Sequence, residues 1–459
     1  MPIVEESSRE LKVEIVRTCI VRSPVLSPDC WLKGSNIDLT VPSISPGHFF
    51  VYKRFADKTY GEVVSSMKKA LSETLLLFYP VAGRFRVRKN GEAEIHCSNQ
   101  GVPFAEGLAD AAIADVDFSQ PSLSVGGKLS PTRQPLQGEA ADCLPVLAVQ
   151  VTRMKCGGIV VSCSFDHRIV DGISSSNFFK AWSEAAQGLS ISMIPCFKRS
   201  LLEPRRPLDI NADIDSHYVA IPFAAVDDTK QLPAQIGRIY HLDAASLQRL
   251  QALANQTVPE AQQGKPKTKL EAVSAYIWRL VARAQALCPS EPTRIGIPID
   301  GRAYLNLPHS YFGNAIAIPF TQTDANEILD KPLSAIAEIV HNVIRCSTNS
   351  EYFRSFVDWV ESKRPAMMLA KVYAEARSAV VVSSGVRIPI YEIDLGCGKP
   401  AFSSAYFPWG GTAGYVMVQA SPLGDGNWVV YMHMAEKDLD AIEGDPDFIF
   451  VRASQMNFW

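Results

Sequence analysis

The chain has 459 residues, 47% of them hydrophobic, which is ample for two packed cores. Its 45 Lys and Arg against 48 Asp and Glu leave a net charge of -3, which argues against a dedicated nucleic-acid binder and gives no polybasic signal for a membrane surface. The ten cysteines are dispersed with no Cys-x-x-Cys pair, so they read as reduced core thiols of a cytosolic protein, not as a zinc ribbon or redox couple.

The opening stretch, MPIVEESSRELKVEI, is acidic and polar and lacks the apolar run of a secretory signal. No segment approaches the ~18 apolar residues of a membrane span, so a cytoplasmic protein with no membrane partner is the expectation. From Gly61 to Phe78, Val63, Val64, Met67, Ala70, Leu71, Leu75 and Phe78 recur at helical spacing. Pro80 and Gly83 break that helix, and RFRV at 84–87 alternates as a strand. VLAVQV at 146–151 and GIVVSCSF at 158–165 read as two neighbouring strands joined through KCGG. After Gly172, SSSNFFKAWSEAAQG reads as a helix with a serine N-cap region and Gly188 just past its end.

Between about Ile194 and Ile236 the pattern dissolves into proline and charge, as in a crossover linker. Periodicity resumes with RIYHLDAASLQRLQALA. The division predicted is therefore 1–195, a linker at 196–235, and 236–459. In the last part, Thr268 and Glu271 have capping-box spacing, and Leu270, Val273, Ile277, Leu280 and Ala284 mark one apolar face of a helix. TRIGIPIDGRAY and YFGNAIAIPF follow as strands and turns. Alternating strands and helices throughout place the fold in the α/β or α+β class.

One segment carries chemistry: Ser164-Phe165-Asp166-His167-Arg168-Ile169-Val170-Asp171-Gly172. A strand ends, His167 stands at its exit, and an Asp-Gly turn opens the next helix. Such junctions expose side chains at a sheet edge, where a histidine can be partly desolvated yet reachable. His-x-x-x-Asp alone is a weak signal, and a histidine bonded to its own turn is the plain alternative. Cys163, His167 and Asp171 would share a helix face as metal ligands, but the residues before His167 read as strand, where that spacing does not converge, so no metal is assigned. A Gly-x-Ser-x-Gly elbow is absent.

The segment resembles the His-x-x-x-Asp-Gly motif of the BAHD acyltransferases of plants. Their second motif, Asp-Phe-Gly-Trp-Gly, corresponds to Asp394-Leu395-Gly396-Cys397-Gly398, followed by Lys399-Pro400. YPVAGRF (79–85), VQVTRMKCGG (149–158), TKLEAVSAYIWRLVARA (268–284), DGRAYL (300–305) and YFGNAI (311–316) are also similar to the family and stand in its order. FDHRIVDGIS, FKRSLLEPRRP, VVSSG and YFPWGGTAGYVM are similar to the coniferyl alcohol acyltransferases within it.

The resemblance implies two chloramphenicol-acetyltransferase-like domains, each a mixed sheet flanked by helices, with a tunnel between them. It implies a monomeric O-acyltransferase with no resident cofactor, moving an acetyl group from acetyl-CoA to the side-chain hydroxyl of a phenylpropanoid alcohol such as coniferyl alcohol. His167 would be the general base. Asp171 with Gly172, and Asp394 with Gly396 and Gly398, would be structural, Asp394 pairing with Arg302 of the Asp-x-Arg stretch. Leu395 and Cys397 replace the aromatic pair of the second motif, which would leave a roomier pocket wall unless Trp409 compensates. Asp166 reads as a surface turn residue or as part of the acceptor mouth. Lys265, Lys267 and Lys269 cluster at the start of the Thr268-capped helix, where free N–H groups favour the phosphates of coenzyme A. Three rivals stay open: a hydroxycinnamoyl-CoA transferase acting on shikimate, quinate or an amine, a non-catalytic accessory protein, and repurposed chemistry such as a lyase on the same scaffold.

Overall fold

The computed structural model describes residues 11–26, 29–55, 57–88, 92–135, 138–140, 143–221, 234–256, 265–364, 366–374, 378–408 and 411–456. Two large mixed sheets organise the chain. The first has six strands in the order Val13–Val21, Val102–Ala109, Leu147–Arg153, Ile159–Phe165, Gly47–Tyr52 and Phe402–Tyr406. The second has seven, in the order Phe320–Asp324, Pro292–Gly296, Ala379–Ser384, Gly414–Ala420, Trp428–Ala435, Gln235–Leu242 and Val451–Arg452.

Ile159–Phe165 lies inside the first sheet, and all seven of its side chains are buried. A run such as IVVSCSF, interrupted only by the small serines Ser162 and Ser164, suits a strand covered on both faces. One face of this sheet is covered by the helices Tyr60–Leu77 and Gly172–Ala186. The first starts at a capping box in which Thr59 and Glu62 satisfy each other's backbone N–H groups. The two helices are joined where the buried Trp182 donates its Nε1–H to the Met67 carbonyl at 3.0 Å. The helix after Gly172 is capped by Asp171, whose Oδ1 accepts from the Ser174 N–H at 2.8 Å; the serines themselves lie within the helix. A carboxylate at that place also meets the positive end of the helix dipole.

The helices Ala244–Ala254, Lys269–Ala284 and Leu333–Ser347 pack in the second core with the strands of the second sheet. The capping box predicted at Thr268 and Glu271 is formed. Between about 196 and 221 the chain holds only a 3-10 turn (Arg199–Leu202), a short helix (Ala212–His217) and a short strand (Tyr218–Ile221).

The halves are not independent along the sequence. Phe402–Tyr406 forms the edge of the first sheet, pairing antiparallel with Gly47–Tyr52 so that Ala405 faces His48. A third core, containing Phe49, Tyr218, Phe356, Trp359, Phe402, Tyr415 and Tyr431, packs residues of both sheets together. Among the described residues, no helix is long and apolar enough to cross a membrane.

Candidate active site

His167 stands two residues beyond the end of Ile159–Phe165, and its ring lines a cavity of about 240 Å³ at the seam between the two sheets. Both sides of the turn are anchored. The His167 N–H donates to the Ile44 carbonyl at 3.2 Å, and its carbonyl accepts from Asn314 Nδ2 at 2.9 Å. Asn314 Nδ2 also donates to Asp38 Oδ1 at 2.9 Å, and Arg199 pairs with the same Asp38 carboxylate at 3.2 Å. A buried polar chain, Arg199–Asp38–Asn314, thus fixes the backbone that carries the imidazole.

His167 Nδ1 is buried without a hydrogen-bond partner. With Nδ1 enclosed, Nε2 is the ring nitrogen free to meet a ligand in the cavity that the ring lines. Burial lowers the pKa below the usual 6.5; His167's own backbone, Asp171, Asp166 and Asn314 oppose the shift without cancelling it. A neutral imidazole with an open nitrogen can accept a proton from a hydroxyl and return it to a leaving group.

Asp171 faces elsewhere. Its oxygens each take an N–H of Arg302 at 2.9 Å, and the Ser174 and Ala315 backbone amides complete the shell. Burial raises its carboxyl pKa, but the charge and hydrogen bonds of Arg302 lower it further, for a net downward shift. Asp171 therefore cannot serve the histidine as a triad carboxylate, nor close a metal set with Cys163 and His167. Gly172 begins the helix and lines the cavity.

The pairing of Asp394 with Arg302 is not formed. Arg302 is engaged by Asp171, by Asp300 at 2.8 Å and by the Gly313 carbonyl at 3.0 Å. Asp394 Oδ1 instead collects the N–H groups of Gly396, Cys397 and Gly398 at 2.8, 3.1 and 2.9 Å. Gly396 and Gly398, at φ +89° and +90°, give the loop the left-handed backbone that curls around the carboxylate. Leu395 is fully buried in the first core, and Cys397, whose thiol burial pushes up to about 12, packs against it. Neither lines the cavity, so their exchange for aromatics does not open its wall. Trp409 lies outside the described residues.

Asp166 is also not a surface residue. It is fully buried beneath a bidentate Arg168 (2.9 and 2.7 Å) and Arg133 (3.0 Å). Its neighbour's position at a strand exit suggested exposure, but the basic partners that bury it are distant or local in ways the spacing does not reveal. Of the three lysines, Lys267 is buried against Glu338, Lys265 is exposed and Lys269 is half-buried.

The sequence reading passed over three groups. Gln419 lines the cavity with its amide nitrogen unpaired among the described residues, while its Oε1 receives the Ala405 N–H at 3.4 Å. Asp38 and His48 are the others. None stands in a short local motif: His48 and Gln419 sit on strands of the two sheets, and Asp38, in a 3-10 turn, meets the site through Asn314.

The chain matches the family model described as the Transferase family over residues 11–449. It belongs to the BAHD acyltransferases. These are acyl-CoA-dependent enzymes, and the chain is one of them. It is similar to a shikimate O-hydroxycinnamoyltransferase of Nicotiana tabacum, 28% identical over 94% of this chain and 99% of that protein. A hydroxycinnamoyl-CoA:5-hydroxyanthranilate N-hydroxycinnamoyltransferase of Avena sativa is 30% identical over 85% of this chain and 90% of its own. The fold matches that of vinorine synthase, with a TM-score of 0.72 at 19% identity over 97% of this chain and all of the other. It also matches F. sporotrichioides TRI101 in complex with coenzyme A and T-2, with a TM-score of 0.74 at 19% identity over 91% and 98% of the two chains. The expected fold, two helix-flanked mixed sheets, is present.

Proposed function

We propose that this BAHD enzyme transfers an acetyl group from acetyl-CoA to the side-chain hydroxyl of a phenylpropanoid alcohol such as coniferyl alcohol. His167 is the general base. Its bare Nε2 takes the hydroxyl proton as the oxygen attacks the thioester carbonyl; the tetrahedral intermediate collapses, and the imidazolium protonates the departing thiolate of coenzyme A. The observation that carries this reading is the cavity around His167. Among its described lining residues there is no lysine or arginine, and its walls are largely Ile, Val, Phe, Tyr and Met. A carboxylate-bearing acceptor such as shikimate or quinate lacks a cation to meet it there, whereas an aromatic alcohol needs apolar walls and few polar contacts.

The seam between the two sheets would bring donor and acceptor together from separate substrates, and holding them in line supplies much of the rate. Coenzyme A in the TRI101 complex supports the same co-substrate here. Lys265 and Lys269, with the N-terminus of the Thr268-capped helix, remain the groups proposed for its phosphates; Lys267, engaged by Glu338, is the weaker member.

The named relatives favour a second donor, a hydroxycinnamoyl-CoA, on the same site. Release of free thiol separates the two. With coniferyl alcohol as acceptor, acetyl-CoA is expected to turn over at least about tenfold faster, in kcat/KM, than p-coumaroyl-CoA. The reverse order assigns the enzyme to hydroxycinnamoyl transfer.

A further inference from the structure

His48 is a second imidazole on the wall of the same cavity, and its proton can be placed. Its Nε2 lies 3.0 Å from Ser403 Oγ. The single hydroxyl proton of Ser403 goes to the Phe49 carbonyl at 2.9 Å, because a carbonyl can only accept. Ser403 Oγ therefore accepts from His48, which fixes the Nε2–H tautomer and leaves Nδ1 with a lone pair. That atom has no partner among the described residues, and it is not among the buried unsatisfied atoms, so it opens on the cavity. Burial lowers the His48 pKa to about 3, so the ring is neutral across the physiological range and presents an acceptor only. Phe50 and Phe179 hold the ring at centroid distances of 4.9 and 5.9 Å, and Phe179 is itself part of the cavity wall.

We infer that His48 Nδ1 is a specificity-determining acceptor for a hydroxyl on the aromatic ring of the substrate, at the end remote from the transferred group. Its neutrality and the aromatic side chains around it select a neutral hydrogen-bond donor carried on a flat apolar body, which describes a phenol. An anion finds no donor at this nitrogen. The placement is suitable: His48 pairs with Cys163, four residues before His167, and the His167 N–H donates to the carbonyl of Ile44, four residues before His48, so both histidines stand along one pair of chain segments on the wall of the same cavity. An extended phenylpropanoid alcohol can bridge the two imidazoles, with its side-chain hydroxyl at His167 and its phenol at His48. The inference rests on the proposed acceptor class, but not on the identity of the acyl donor.

Calorimetric titration with p-coumaryl alcohol and with cinnamyl alcohol, which lacks only the phenolic hydroxyl, tests it on the full-length protein. The unmodified protein is expected to bind p-coumaryl alcohol about tenfold more tightly. His48→Phe should bring the two affinities within about twofold by weakening p-coumaryl alcohol alone. His48→Asn, whose side-chain oxygen can occupy the place of Nδ1, should retain part of the preference. Equal affinities in the unmodified protein, binding of neither alcohol, or a loss in His48→Phe common to both would overturn the assignment. If His48→Phe does not fold, the unmodified protein and His48→Asn decide the matter. Thiol release is measured separately: tight, phenol-dependent binding without transfer would sink the proposed reaction and spare His48, and transfer without phenol preference would do the opposite.

Discussion

Both carboxylate oxygens of Asp171 are held by Arg302, so the acid four residues after His167 builds the loop and leaves the imidazole to the cavity. A buried charge deprived of its partner is costly, typically by 3–5 kcal/mol. Asp171→Ala is expected to destabilise the protein by about that much in urea unfolding, because Arg302 would lose its buried carboxylate and keep Asp300, the Ser174 hydroxyl and backbone carbonyls. A double-mutant cycle separates this from the pairing anticipated from the sequence. Asp171→Ala and Arg302→Ala should be strongly non-additive, whereas Asp394→Ala and Arg302→Ala should add within about 0.5 kcal/mol, since they share no partner. Coupling of Asp394 to Arg302 would contradict the geometry. His167 and Asp171 were visible in the sequence because both lie within one strand-turn-helix segment. Arg302 was visible as a residue but was assigned the wrong acid, because spacing along the chain does not rank partners in space: Asp171 is buried against it, while Asp394 is half-buried in its own loop.

At the scale of elements, the most legible features were those with strong local periodicity or a cap. The helices Tyr60–Leu77 and Lys269–Ala284 and the strands Leu147–Arg153 and Ile159–Phe165 stand where apolar spacing put them. The start of Gly172–Ala186 was read one step late: a serine run offers several N-caps, and the carboxylate before it is the better one when an arginine already orders it. The loop Asp394–Gly398 is closed by its own residues, not by Arg302. Its positive-φ glycines and the aspartate acceptor make the turn, while Leu395 supplies only bulk to the first core. Asp38 and His48 were illegible for a different reason. Each acts through strand register or through contacts hundreds of residues away, and no local pattern encodes that.

For the whole molecule, the consequential feature is Phe402–Tyr406, a strand from the second half that completes the edge of the first sheet beside the cavity. With it, and with a core shared between the sheets, the two halves cannot open without breaking both. Unfolding in urea is therefore expected to be one transition, coincident by tryptophan fluorescence and far-ultraviolet circular dichroism. Two separated transitions would mean that the seam is weaker than its packing. The cavity lies on this seam: His167 and His48 line it from the first sheet, and Ser383, Ser384 and Gln419 line it from the second.

The central claim is a neutral imidazole at position 167 that accepts the substrate's proton. Its lowered pKa sets the sign of the pH dependence: the base is active when deprotonated, so activity falls as pH drops through a value below 6.5. The direct measurement is kcat/KM for thiol release from acetyl-CoA with coniferyl alcohol, across pH, in the unmodified protein and in His167→Ala. The account predicts an acid limb with a midpoint below 6.5 in the unmodified protein, and a loss of roughly 10²–10⁴ with disappearance of that limb in the variant, coenzyme A affinity being retained. A His167→Ala protein that turns over at the unmodified rate, with the same pH profile, would contradict it.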